Sequence, residues 1–107
     1  HTPFMTTGSS PVAALSSKTV WLYSDLLLHD MGTLGDGIVQ GNAGAREMKT
    51  PPLWGLRASG PYLHDGRAAT IEDAIKAHAG EATTSKNRFL NLSADQRALV
   101  IEFLNSI

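Results

Sequence analysis

Apolar positions repeat at helical spacing in two places along the chain and at strand spacing in one. Ile71, Ala74, Ile75 and His78 fall at i, i+3, i+4 and i+7, which is one face of a helix. Thr70 stands ahead of that face as an N-cap, with Asp73 in the place of the capping-box acid. Glu72 and Asp73 suit the positive end of the helix dipole, and Gly80 can close the helix in a left-handed conformation. The second pattern lies near the C-terminus. Ser93-Ala94-Asp95-Gln96 reads as a capping box, and Leu99, Val100, Phe103, Leu104 and Ile107 follow as one apolar stripe. At residues 18–23 the run KTVWLY is β-branched and aromatic, which predicts a short strand with Trp21 and Tyr23 on one face.

Between these elements the pattern is irregular. Thr6 to Ser17 is rich in Ser, Thr and Gly and reads as surface loop. Gly32 to Ala45 is glycine-rich in the order G-x-x-G-x-G. That is not the dinucleotide order, so it reads as an irregular loop turned by Asp36 and Asn42. Thr50-Pro51 reads as an N-cap with Pro at the first helical position, opening a short helix through Leu53, Trp54 and Leu56 that Gly55 keeps marginal. Ser59-Gly60-Pro61 forces a turn. Glu81 to Asn91 is polar and reads as loop, with Phe89 and Leu90 tucked inward. The expected fold is therefore mainly α, with short helices, long loops and one small β element.

Composition narrows the function. With 107 residues the chain is one small domain. Its net charge is −1 with the signs interspersed, which argues against nucleic acid and against an anionic membrane surface as partner. No run approaches the ~18 apolar residues of a membrane span. The absence of cysteine excludes disulfides and thiolate metal sites within the chain. A core this small and loop-rich would gain much from a large apolar cofactor.

Four histidines carry the candidate chemistry. His64 lies in the turn His64-Asp65-Gly66, and His78 follows fourteen positions later on the apolar helix face. Alone, His78 reads as a satisfied core histidine. His29 and Met31 alternate onto one side of the extended run Ser24 to Gly32 and are both iron ligands by chemistry, with a structural role the more natural for each. His1-Thr2-Pro3 reads either as a cloning remnant or as the end of the haem-attachment motif C-x-x-C-H, whose His is the proximal iron ligand. A different chemistry also fits these residue types: a divalent-metal hydrolase site built from His29, His64, Asp65 and His78. A structural or interaction domain with no chemistry of its own is the third reading. A Soret band selects haem, bound zinc or manganese without a chromophore selects the hydrolase, and neither selects the third.

The motifs decide among these by resemblance. Thr50-Pro51-Pro52-Leu53, Pro61-Tyr62-Leu63-His64-Asp65-Gly66, Thr70-Ile71-Glu72-Asp73-Ala74-Ile75 and Leu92-Ser93 together resemble the C-terminal haem domain of the bacterial di-haem cytochrome c peroxidases. They are closer still to the di-haem oxidoreductase branch of that superfamily. One departure is Trp54-Gly55, where the peroxidases usually carry Arg-Asn. The resemblance covers nearly the whole chain. It implies a cytochrome-c-like domain running over residues 1–107 from the His of a C-x-x-C-H motif, and haem-mediated electron transfer within a di-haem c-type oxidoreductase. It implies two haem c groups in the parent protein, a second haem domain upstream and a periplasmic location. His1 becomes the proximal ligand and His78 the distal one, at a position where the peroxidases commonly carry Met. Met31 and His64 are the competing ligands. His64, Trp54, Tyr62 and Arg67 would border the haem, Arg46 and Lys49 could pair with its propionates, and the carbonyls of Ser59 and Pro61 could bind calcium.

Overall fold

The computed structural model describes every residue from His1 to Ile107. Two small antiparallel hairpins occupy the first half. Strands β1 (Met5–Thr6) and β2 (Thr19–Val20) pair with Met5 opposite Val20, and β3 (Leu28–Asp30) and β4 (Glu47–Lys49) pair with His29 opposite Met48. The expected strand at 18–23 thus shrinks to two residues, because Tyr23 takes a positive φ and the chain bends away. A second hairpin exists where an extended run and a glycine-rich loop were expected. Asp36 does turn that loop, accepting the Ile38 N–H at 2.8 Å.

Three helices form the second half. Helix α1 (Ile71–Ala77) starts as its sequence dictates, with the Thr70 hydroxyl accepting the Asp73 N–H at 3.0 Å and donating to the Asp73 carboxylate at 2.7 Å. It ends at His78, before Gly80, which instead opens a single 3₁₀ turn over Gly80–Ala82. Helix α2 (Thr83–Leu90) stands where a polar loop was expected. Its first turns are Thr83-Thr84-Ser85, poor helix formers, and only Phe89 is buried, so it carried almost no periodic signal. Helix α3 (Ala94–Ser106) has the full capping box of Ser93 and Gln96. The helix expected after Thr50 is a 3₁₀ turn at Leu56–Ala58 instead. Pro52 excludes Pro51 from helical geometry, and Gly55 sits in the left-handed region. The architecture is therefore mixed: three helices, two two-stranded sheets and long connections, with more β structure than the mainly α reading allowed.

The packing is open. Only Ser24, Met31, Leu34, Ala68, Ile71 and Phe89 are buried, six of 107 residues. The accessible surface is 7138 Å², against the roughly 5,800 Å² that the mass scaling gives for a folded monomer of this size. The radius of gyration is 15.5 Å, where a compact domain of this length has about 13 Å. Both excesses say that the elements surround a space instead of filling it. None of the expected apolar stripe on α3 is buried, and Leu99 and Phe103 face solvent. No helix is long and apolar enough to cross a membrane.

Candidate functional site

That space is a cleft of about 970 Å³. Its back wall is the small core itself: Met31, Leu34, Ile71 and Phe89 all line it. The Pro51–Leu56 segment and Tyr62 contribute further walls, and α1 adds Ala74 and Ile75. All four histidines open onto it.

Two of them face one another. The ring centres of His1 and His78 lie 6.5 Å apart, with planes tilted by 59°. His1 arrives from the N-terminus and is fixed by its Nδ1, 2.8 Å from the Tyr23 carbonyl oxygen. His78 stands where α1 ends. Its backbone N–H turns to Ile75 O at 3.2 Å, a tightened last turn, and its ring Nδ1 takes up the Ala74 carbonyl at 2.7 Å. A carbonyl oxygen only accepts, so in both rings Nδ1 carries a proton, and in the neutral ring the lone pair is left on Nε2. Two imidazoles are thus pre-set in the tautomer that ligates a metal through Nε2. Fixing the far nitrogen on a carbonyl is the usual second-sphere device of metal-bound histidine.

The other sequence candidates divide. Trp54 lines the cleft, half exposed, with its indole N–H on the Trp21 carbonyl. Tyr62 lines it too, held by a bridge to Ala68. His64 reaches the rim and is exposed. Arg67 does not: Asp65 binds its guanidinium and accepts its N–H, so the pair closes its own turn outside the cleft. Arg46 likewise spends its charge on Asp30 at 2.7 Å. Ser59 and Pro61 lie on the rim. No group of three or more His, Asp or Glu side chains gathers anywhere in the structure to hold a metal ion. In particular no three of His29, His64, Asp65 and His78 come together to hold a metal ion. That corrects the hydrolase reading.

His29 sits between two carboxylates. Its Nε2 is 2.8 Å from Asp25 and its Nδ1 is 2.9 Å from Glu81. The bonds to Glu81 and then Asp25 raise its pKa above the ordinary 6.5. The Leu27 N–H, with His29, pulls Asp25 down to about 2, and His29 lowers Glu81. Neither acid was legible as a partner: Asp25 lies at i−4 but outside a helix, and Glu81 is 52 residues away. The raised His29 pKa gives stability that is complete below pH 6.5 and lost as pH rises through the raised value. The lowered acids give stability that is complete above their ordinary values of 3.8 and 4.5 and lost as pH falls toward 2. Thermal unfolding of the intact parent protein against pH should therefore place this bridge's contribution at its peak between about pH 5 and 6.5. His29→Gln should flatten the alkaline limb, and an unchanged limb would remove the bridge as its cause.

Comparison with known proteins places the chain in a family. The family model described as "di-haem oxidoreductase, putative peroxidase" matches residues 1–107. The methylamine utilization protein MauG of Methylorubrum extorquens is 29% identical over 114 residues, covering 94% of this chain and 32% of MauG. The chain thus spans about a third of that curated relative. No solved structure matches it. Matched from end to end by that family model, the protein belongs to the di-haem oxidoreductases, a family of haem-based redox proteins.

Proposed function

We propose that the cleft holds a haem c with His1 and His78 as its axial ligands, and that the domain relays electrons within a di-haem oxidoreductase. The observation that carries this reading is the His1–His78 pair. Imidazole nitrogens bind transition metals at about 2.0–2.1 Å, so two rings on opposite sides of one ion have centres about 6–6.5 Å apart. The observed 6.5 Å fits that spacing. The cleft volume and its apolar back wall suit a large flat apolar group, and the shortage of core around it is what such a group would fill.

Haem iron, when bound, supplies a one-electron ferric/ferrous couple. The residues of this chain do the rest. Tyr23 and Ala74 carbonyls hold the two rings in their ligating tautomer. Met31, Leu34, Ile71 and Phe89 exclude water from one side. Trp54 and Tyr62 border the opening, with His64 on the rim. Held by both His1 and His78, the group would supply electron relay in preference to direct attack on peroxide. The cytochrome-c-like ancestry, the second haem domain upstream and a periplasmic location, where c-type haem is attached, complete the proposal.

This chain has no cysteine to form thioether links. Haem c held by His1 requires Cys-x-x-Cys directly ahead of that histidine in the parent protein. Mass spectrometry of the tryptic haem peptide from the full-length protein should find haem on a peptide that runs through that tetrapeptide into His1. Any other tetrapeptide there removes His1 as the proximal ligand.

A further inference from the structure

The segment just after His78 is gripped from outside the helix. Gly80 packs directly on the backbone of the Asp30–Gly32 corner: a Cβ at Gly80 would collide with the Asp30 carbonyl oxygen and the Gly32 nitrogen. Gly80 has φ +57, so both its space and its conformation demand glycine. Glu81 then reaches across the same contact. One carboxylate oxygen accepts the Asp30 N–H at 3.1 Å and the other meets His29 Nδ1 at 2.9 Å. Asp25 holds the far nitrogen of His29 at 2.8 Å.

The corner that receives Gly80 and Glu81 is itself rigid. Asp30 accepts the Gly32 N–H at 2.8 Å and binds Arg46 at 2.7 Å, and the Met31 N–H donates to Arg46 O at 2.8 Å. By contrast α1 is only seven residues long and ends at His78 with non-helical ψ of 135°. So short a helix does not hold its own last turn firmly. The direction of the His78 ring then depends on what happens at Ala79–Glu81 as well as on Ala74.

We propose that the Asp25–His29–Glu81 bridge is a positioning device for His78: it pins Ala79–Glu81 onto the β3 corner and so fixes how the His78 imidazole is presented to the cleft. The proposal rests on the reading of His78 as an axial ligand. Asp25, His29 and Glu81 are positioning residues, acting through the chain and not on the iron.

The test uses the full-length haem-loaded protein. The readout is the rate at which cyanide displaces the bis-imidazole low-spin EPR signal, together with the g-values of that signal. Glu81→Ala removes both grips. Glu81→Gln keeps them, since its Oε1 can accept the Asp30 N–H and its amide can donate to a neutral His29. Outer-sphere partners of metal ligands typically contribute 10–100-fold, so Glu81→Ala should accelerate displacement by about 10-fold or more and shift the g-values. Glu81→Gln should stay close to the parent on both measures. If Glu81→Ala does not fold, His29→Ala serves in its place with the same expected acceleration. Parent-like displacement and g-values in the alanine variant overturn the positioning role. So does equal acceleration in Glu81→Gln, where the grip is kept. The two readings fail separately: His78→Ala with the parent's EPR signal sinks the ligand assignment. A changed His78→Ala signal beside an unchanged alanine variant of the bridge sinks only the positioning.

Discussion

Replacing His78 by Met is expected to raise the midpoint potential of one haem in the intact protein. Replacing it by Ala should leave that iron five-coordinate or filled by water. The reason is the chemistry of the two donors. A thioether favours the reduced iron relative to an imidazole, so a His/Met pair sits higher than a His/His pair. Axial ligation as a whole spans roughly 0.8 V in haem proteins, and this single exchange should move the potential by on the order of 100 mV. Met at position 78 would stand at the end of the same helix face and project toward His1, so the exchange tests the donor and not the fold. The Ala74 carbonyl would lose its ring partner but stays near the helix end, where water can satisfy it. Redox titration of the two variants beside the parent, with EPR of the ferric state, reads the result. If spectra and potentials of both variants match the parent, His78 is a core histidine bonded to Ala74 and nothing more.

The local parts of this fold were readable because their causes are local. Thr70 with Asp73, and Ser93 with Gln96, are contacts across three residues, and both stand where their spelling predicts. The apolar spacing of Ile71, Ala74, Ile75 and His78 likewise turns one face of α1 to the cleft, where all four residues line it. Two local readings failed for physical reasons that the same spelling contains. Tandem prolines at 51 and 52 forbid the helix that Thr50 seemed to open, and α2 forms from weak helix formers because tertiary contact at Phe89 outweighs propensity. What could not be read is the long-range chemistry. Nothing in the sequence spacing pairs Glu81 with His29, or the Tyr23 carbonyl with His1. The missing core is a third case: its apolar residues are present but arranged around a cleft, and periodicity records which face is apolar, not what it packs against.

Without haem, the chain is expected to lack a cooperative thermal transition and to self-associate. A two-state domain draws its stability from buried apolar surface, and here only Met31, Leu34, Ala68, Ile71 and Phe89 supply a core. Each 100 Å² of apolar surface taken from water contributes about 2.5 kcal/mol. The excess of accessible surface over a normal monomer therefore represents a shortfall larger than the whole stability of a small domain, about 5–15 kcal/mol. An apolar group filling the cleft would recover part of it by covering lining residues that are now exposed, Pro51, Pro52 and Trp54 among them. Outside the cleft, Leu99 at 64% exposure and Phe103 at 45% leave apolar surface on α3, and Phe4 and Trp21 are similarly open. Exposed apolar faces of that kind find partners, here other copies of the chain. Size-exclusion chromatography and thermal unfolding by near-UV circular dichroism test both parts on the haem-free chain. The expected results are a broad, concentration-dependent transition and elution ahead of a monomer. A sharp monomeric transition at the ordinary ~45–65 °C of small domains would mean that the elements close on themselves, and that the cleft is not held open for a cofactor.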